Sequence, residues 1–217
     1  MSTTRALLCI AALLAGTPAC AHRLDEYLQA TTIEVGRSHI ELEIRLAPGV
    51  AVFPALFAEI DTDADRVASV MEQRAYAERV LGDLSLSVDG TRLPLRLVAS
   101  TFAARELLEE GRGEIRLRLE ADVPGAARQR RLIFENRHQR RTGTYLVNSL
   151  VPRDADIRLG AQVRNHDQSS YQLDYGDAGA PAGTSFSWLA HWGWMDGALL
   201  ALVAGIAVVG RRATFTS

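Results

Sequence analysis

The sequence predicts an α+β fold that is mainly β. We expect an antiparallel, sandwich-like exported domain with one helix-loop-helix insertion, followed by a single C-terminal transmembrane helix. Apolar and polar residues alternate in several segments, such as 40–46, which is typical of half-buried strands. Turn residues separate these segments at intervals of about a dozen residues, as in antiparallel sandwiches. A hydrophobic stretch, 188–210, lies near the C terminus.

The first 21 residues have the features of a secretory signal peptide. Arg5 supplies the positive charge, residues 6–14 form the apolar run, and the small residues around Cys20 form a cleavage pattern. Cleavage after residue 21 makes His22 the first mature residue. Two alternatives remain open: the segment is an uncleaved membrane anchor, or Cys20 carries a lipid.

Composition limits the classes of partner and the means of stabilisation. Both cysteines, Cys9 and Cys20, lie in the predicted signal, so the exported domain must be stabilised by its own core and not by disulfides. The 24 basic residues are all arginine, and with 26 acidic residues the net charge is -2. This balance gives no general attraction to nucleic acid, and we expect no nucleic-acid partner.

The exported domain, 22–176, reads mainly as strands. A hairpin is expected around Gly36, because residues 27–35 and 40–46 both alternate, and a second around Asp89-Gly90, a strong hairpin turn signal. The second hairpin pairs 84–88 with 93–97. Further strands are predicted at 115–119, 132–135, 143–150, 157–163 and 171–175.

Helical spacing of apolar residues interrupts the strands in one region, 51–81. Helices are expected over 51–60 and 70–81, with a loop between them, and a third short helix over 102–111. The loop is strongly acidic, and its residues 61–72 have the spacing of an EF-hand calcium loop. The candidate calcium ligands are Asp61, Asp63 and Asp65 at positions one, three and five, the carbonyl of Val67 at seven, Ser69 at nine and Glu72 at twelve.

Two loop positions depart from the EF-hand pattern. Arg66 stands at position six, where glycine normally makes the sharp turn, so closure of the loop requires a positive φ at this arginine. Ala68 stands at position eight in place of a larger aliphatic residue. The alternative interpretation is a solvated acidic turn in which Asp61 caps the second helix. Calcium, if bound, is expected to be structural and weakly held.

A second metal hypothesis concerns the mature N terminus. A free amine and the ring nitrogen of His22 can together chelate copper or nickel. A further ligand would have to come from His39, His138, His166, Asp25 or Glu26. The alternative is that a histidine simply follows the cleavage site.

The densest basic region comprises 128–131 and 137–141, on either side of 132–136. It could contact lipid headgroups or an acidic partner. The alternation within 131–135 favours instead a strand with a solvated face. No catalytic motif appears in the sequence: there is no nucleophile elbow, zinc spacing or glycine-rich phosphate loop, so we expect no enzyme activity.

The hydrophobic stretch 188–210 predicts one membrane span. Its unbroken apolar part covers only ~21 Å, so the tryptophan-rich half is needed to cross the ~30 Å core. Residues 177–187 are small and flexible and form a tether, and the arginines that begin the short tail 211–217 place it in the cytoplasm. The expected location is the bacterial inner membrane, with the N-terminal domain in the periplasm.

Small residues recur every four positions along this segment and favour close packing against another helix. An acidic residue beside them must reach headgroups, become protonated or find a partner. We therefore expect self-association or a membrane-protein partner. The helix-packing candidates are Gly193, Asp196, Gly197, Ala201 and Gly205.

Several stretches resemble a known family. They are 22–30, 46–50, the loop 61–72 running into 75–77, 145–148 and 151–154. Together they resemble the exported N-terminal region of the hydrogenase/urease accessory (HupE/UreJ-like) membrane protein family. That family's membrane part has several helices with a metal-handling motif, whereas this sequence has one hydrophobic stretch. The resemblance therefore implies an extracytoplasmic domain that serves a membrane metal system in trans.

These observations favour a single-pass, extracytoplasmic binding or interaction module, stabilised by calcium and associated with a membrane metal-handling system. The alternative is a periplasmic metal-binding or metal-delivery protein that uses His22.

Overall fold

A computed structural model describes residues 25–125 and 127–178. The predicted signal peptide, His22, most of the predicted tether and the hydrophobic stretch 188–210 lie outside these residues. No helix in 25–125 or 127–178 has the length and hydropathy needed to cross a membrane.

Ten strands and three helices make up the described domain. The strands are β1 (Tyr27–Val35), β2 (His39–Pro48), β3 (Leu84–Val88), β4 (Thr91–Leu93), β5 (Arg96–Phe102), β6 (Ile115–Asp122), β7 (Gln129–Asn136), β8 (Gly143–Ser149), β9 (Ile157–Arg164) and β10 (Ser170–Asp177). The helices are α1 (Phe53–Ile60), α2 (Val70–Gly82) and α3 (Arg105–Glu109).

The strands form two five-stranded sheets. The first has the order β5-β6-β2-β1-β8 and the second β4-β3-β7-β10-β9. All pairs are antiparallel except β1 with β8. This confirms the mainly β prediction and is consistent with a β-sandwich-like fold.

Period-two alternation determines which strand residues enter the core. In β1 every odd position is buried, and in β2 the apolar positions between Ile40 and Leu46 are almost fully buried, while Glu43 and Arg45 are exposed. Registered pairing places Ile44 opposite Thr31 of β1 and Leu117 of β6, all buried. The buried side of each strand thus packs into one hydrophobic core.

The predicted helix-loop-helix is present. Helix α1 buries Phe53, Leu56, Phe57 and Ile60, which recur at helical spacing. Helix α2 packs on β5 and β3, and α1 packs on α2 and on α3. The helices therefore cover a region where strands of both sheets meet.

The Asp89-Gly90 turn is also confirmed. Both residues have positive φ, 52° and 79°, as a two-residue hairpin turn of this type requires. The expected partner strand is shorter than predicted, because β4 ends at Leu93. Pro94 lacks an N–H donor, and the chain then crosses to the other sheet, where β5 begins at Arg96.

The first sheet departs from the predicted antiparallel arrangement at one pair, β1 with β8. After β7 ends, residues 137–142 lead the chain from the second sheet to the first, and the Tyr27 N–H donates to the Thr142 carbonyl at 2.8 Å. Strand β8 therefore starts beside the start of β1. Because both strands begin at the same end, they run parallel.

The two faces of β2 allow a matched test of the core. We predict that Ile44→Ala lowers the free energy of unfolding by about 2–5 kcal/mol, since it leaves a cavity at a fully buried position. Glu43→Ala, the exposed neighbour, should change it by less than about 0.5 kcal/mol. Urea denaturation measures the free energy of unfolding of both variants. Equal losses would contradict the assignment of Ile44 to the core and of Glu43 to the exposed face.

Candidate functional site

The acidic loop lies between α1 and α2. Asp61 directly follows α1, and its N–H donates to the Phe57 carbonyl at 2.8 Å as the helix ends. Asp61 is buried, with 8% exposure, whereas Asp63 and Asp65 are exposed. The first residue of the loop is thus buried at the end of α1, and the next two acidic residues are exposed to solvent.

The structure brings three of the predicted ligands together. One carboxylate oxygen from each of Asp61, Asp63 and Asp65 lies within 4.8 Å of the others. The Asp65 N–H lowers the pKa of Asp63, but desolvation and the carboxylates of Asp65 and Glu72 more than offset this, so that pKa is raised. The carboxylates of the cluster therefore still repel one another, in spite of the hydrogen bond from the Asp65 N–H.

Backbone N–H groups close the loop around Asp61. Its Oδ1 accepts from the Asp65 N–H at 3.1 Å and its Oδ2 from the Arg66 N–H at 2.9 Å. Arg66 has a φ of 71°, the positive value that closure at position six requires, and Ala64 has 60°. The loop therefore adopts a closed conformation despite the absence of glycine.

Glu72 and Ser69 begin α2 with a capping box. The Ser69 hydroxyl accepts from the Glu72 N–H, and the Ser69 N–H donates back to Glu72 Oε2 at 2.9 Å. Glu72 Oε1 accepts from the Thr62 N–H at 2.6 Å. Hydrogen bonds from the Ser69 backbone and hydroxyl and from the Thr62 backbone lower the pKa of Glu72 to about 2.

These contacts overturn the predicted capping role of Asp61 and show that some candidate calcium ligands are already hydrogen-bonded to the protein. Asp61 does not cap the second helix, because Ser69 occupies the N-cap, eight positions further along. Glu72 acts as a capping group here and holds Thr62, so its carboxylate is near the cluster but engaged with protein donors. Val67 donates its N–H to Asp65 Oδ1 at 2.7 Å, and Ala68 packs against the core.

A buried polar network lies behind the helices and was not foreseen from the sequence. The Tyr27 and Tyr76 hydroxyls are 2.8 Å apart, and the Tyr76 hydroxyl is 2.9 Å from His138 Nε2. His138 Nδ1 lies 2.8 Å from Asp83 Oδ2. Burial raises the pKa of Tyr27 and of Tyr76, and burial lowers the pKa of His138 although Asp83 opposes the shift.

Amide groups complete the network on the strand side. Gln29 donates to the His138 carbonyl at 2.9 Å and accepts from Asn136 Nδ2 at 2.9 Å. The Asn136 side chain in turn accepts from the His138 N–H, and the Tyr145 hydroxyl donates to the His138 carbonyl at 2.7 Å. The polar atoms of this cluster thus satisfy one another inside the core.

The Asp83–His138–Tyr76 order has the form of a proton-transfer chain. Three of its four side chains are buried: Tyr27 and Tyr76 are 0% exposed and the His138 side chain 2%, whereas the Asp83 side chain at the end of the chain is 43% exposed. A structural role follows. The sequence did carry one signal, since Gln29 and Thr31 occupy core-facing positions of β1, where a polar residue requires a buried partner.

The remaining candidates do not converge. His22 and the helix-packing residues 193–205 lie outside the described residues. His138 has both ring nitrogens in hydrogen bonds, so it is not available as a metal ligand in this conformation. The two basic segments lie at opposite ends of β7, and Arg131 in that strand pairs with Asp174, which supports a strand with a solvated face.

Comparison of the chain with known protein families, with characterised proteins and with solved structures gives no significant match.

The buried network allows a paired substitution test. We predict that Tyr76→Phe lowers the free energy of unfolding by about 1–3 kcal/mol, because Tyr27 and His138 each lose a buried partner. Tyr175→Phe is the matched control: its hydroxyl is buried without a hydrogen-bond partner among the described residues, so its removal should be neutral or stabilising. A neutral Tyr76→Phe would contradict the network's role.

The lowered pKa of His138 predicts a pH dependence. In the unfolded chain this group binds its proton near pH 6.5, whereas the folded protein binds it only at lower pH. The contribution of His138 to the free energy of unfolding is therefore fully present above about pH 7. It is lost as the pH falls below 6.5 toward the folded pKa, by at most about 1.4 kcal/mol per pH unit.

We expect His138→Gln to flatten this part of the stability profile, because glutamine does not titrate. Urea denaturation of both proteins between about pH 5 and 8 gives the difference, in which the contributions of other groups largely cancel. Parallel profiles for the two proteins would contradict the assignment.

Proposed function

We propose that this chain is an exported, membrane-anchored binding module whose domain is stabilised by a calcium ion in the 61–72 loop. The convergence of the Asp61, Asp63 and Asp65 carboxylates within 4.8 Å, at loop positions one, three and five, carries the proposal. Helices α1 and α2 flank the loop, as in the helix-loop-helix arrangement of calcium-binding proteins.

The electrostatics of the loop support a hard cation. The loop contains four carboxylates, those of the three aspartates and Glu72, and one basic residue, Arg66. Calcium prefers several oxygen ligands at 2.3–2.6 Å, roughly the geometry that carboxylates in such a cluster can supply. Desolvation and then the neighbouring carboxylates of Asp65 and Glu72 raise the pKa of Asp63 against the opposing Asp65 N–H, and a bound cation would offset the repulsive part of this effect. Glu72 would complete the set by exchanging the hydrogen bonds from Thr62 for the ion.

The proposed affinity is low. Arg66 at position six brings a positive charge close to the ion, and no second loop pairs with this one among the described residues. Extracellular calcium modules bind with Kd values of about 10⁻⁴–10⁻³ M, which suits an exported domain. Calcium would therefore act as a structural ligand and not as a signal.

Location and partnership rest on the sequence. The signal features of residues 1–21 and the hydrophobic stretch 188–210 support export with a single C-terminal anchor. The resemblance to the exported region of the hydrogenase/urease accessory membrane proteins supports a partner in a membrane metal-handling system. We propose binding and not catalysis, because the tyrosines and the histidine of the one acid-base chain among the described residues are buried and only its Asp83 end is exposed to solvent.

Thermal unfolding tests the calcium site. We predict that calcium at about 100 times its Kd stabilises the purified full-length protein by about 2.7 kcal/mol and raises its Tm accordingly. Asp63→Asn should abolish this increase and leave the metal-free Tm unchanged or slightly higher, because it removes a repelled carboxylate whose loss leaves the hydrogen bonds to Asp61 intact.

Glu43→Gln is the matched control. It removes the same charge from an exposed position on β2, far from the loop in sequence and on the outer face of its sheet. This variant should keep the full calcium response. A wild-type Tm that does not respond to calcium, or a response that survives Asp63→Asn, would rule out the proposed site.

A further inference from the structure

We propose that one end of the domain, defined by Leu150, Val151, Arg128 and Arg158, rests on the anionic surface of the membrane that anchors the chain. We call it the membrane-facing end. The inference rests on the proposed C-terminal anchor and adds to it an orientation of the domain and a surface that contacts lipid.

The two sheets contribute neighbouring segments to this end. Arg37, in the β1–β2 turn of the first sheet, pairs with Asp154 at 3.0 Å and Asp156 at 2.6 Å, which lie just before β9 of the second sheet. A cavity of about 270 Å³ is lined both by Gly36 of that turn and by Gly176 near the end of β10. The turn and the end of β10 therefore lie together.

The connection from β8 to β9 exposes two adjacent apolar residues here. Leu150 is 44% exposed and Val151 is 86% exposed. The Leu150 N–H donates to the Ile33 carbonyl at 2.8 Å, so the backbone that presents them is attached to the end of β1. Apolar side chains held outward in this way are suited to the boundary between headgroups and acyl chains.

Two arginines beside this connection have side chains without an ionic partner among the described residues. Arg158 and Gln129 lie on either side of Gly176 in the second sheet, through the registers of β9 and β7 with β10. Arg128 precedes Gln129, and both arginines are exposed. By contrast, Arg37 and Arg153 are paired with carboxylates. The unpaired guanidinium groups are suited to lipid phosphates.

The chain leaves the described domain at the same place. The Asp177 N–H donates to the Arg128 carbonyl at 2.9 Å, and the Ala178 N–H donates to the Asp156 carbonyl at 2.6 Å. Trp188, where the hydrophobic stretch begins, follows Ala178 by ten residues in the sequence. The chain therefore leaves the described domain at this end, on its way to the proposed anchor.

The acidic loop lies at the opposite end of the domain from the membrane-facing end. Helix α1 follows β2 at the end opposite the 36–38 turn, since β2 runs from His39 to Pro48, which pairs with the start of β1. Helix α2 leads into β3, whose Leu84 pairs with Asn136 at the far end of β7 from Arg128. At the membrane-facing end Asp154 and Asp156 are paired with Arg37 and Asp177 is also present, but Arg128 and Arg158 have no ionic partner among the described residues. An anionic membrane would therefore repel the loop carboxylates more strongly than this end, and the difference in charge favours the proposed orientation.

Site-specific fluorescence quenching tests the orientation in the full-length protein. Cys9 and Cys20 are replaced by alanine, and a single cysteine is introduced by Val151→Cys or, as a matched control, by Met71→Cys at the start of α2. Met71 is 83% exposed and Val151 86%, so the two labels start from equal solvent exposure. Each protein carries a small environment-sensitive dye and is reconstituted into vesicles of phosphatidylethanolamine and phosphatidylglycerol.

The expected result is that nitroxide-labelled lipids quench the dye at position 151 several-fold more than the dye at position 71. Replacing phosphatidylglycerol by phosphatidylcholine, or introducing Arg128→Ser with Arg158→Ser, should reduce quenching at 151. Equal quenching at the two positions, or stronger quenching at 71, would overturn the proposal and leave a protein partner as the occupant of this surface. If quenching at position 151 changes neither with lipid charge nor with replacement of the two arginines, the proposed binding of the arginines to lipid phosphates is overturned.

Vesicle flotation separates this proposal from the proposed function. If the chain floats with the vesicles but shows no preferential quenching at position 151, the proposed anchor stands and only the proposal of a membrane-facing end is overturned. A chain that fails to float overturns the anchor and, with it, this orientation. Retained tyrosine near-ultraviolet circular dichroism in each variant shows that the domain is folded.

Discussion

The buried hydrogen-bond chain from Tyr27 through Tyr76 and His138 to Asp83 is the constraint on which the placement of the helices depends. Tyr27 belongs to β1 of one sheet, His138 follows β7 of the other, and Tyr76 belongs to α2. An unpaired polar group in this interior costs about 1–3 kcal/mol. The helix is therefore favoured in the one position that satisfies all three side chains at once.

That constraint reaches the acidic loop through α2. Glu72, at the third position of the helix, holds Thr62 and Ser69, and Tyr76 lies one turn further on, in the core. The loop thus begins at α1, closes around Asp61 and ends at a helix that packs on strands of both sheets. The three aspartates are held near one another before any ion binds, which reduces the ordering that a cation has to impose.

The parts of the fold that depend on local pattern could be predicted from the sequence. The alternation in β1 and β2, the Asp89-Gly90 turn and the helical spacing of Phe53, Leu56 and Ile60 are each satisfied within a few residues. The parallel pairing of β8 and the meeting of Asp83 with His138 depend on where distant segments enter the sheets. No local spacing encodes such contacts, and only the polar Gln29 on the core-facing side of β1 indicated the network.

Calcium titration calorimetry of the full-length protein in mild detergent tests the central claim most directly, because it detects the ion at the loop without relying on unfolding. A single saturable binding event with a Kd of about 10⁻⁴–10⁻³ M is the result that the clustered aspartates predict. Heats that do not exceed those of dilution up to about 10 mM calcium, roughly ten times the upper limit of that range, would contradict it.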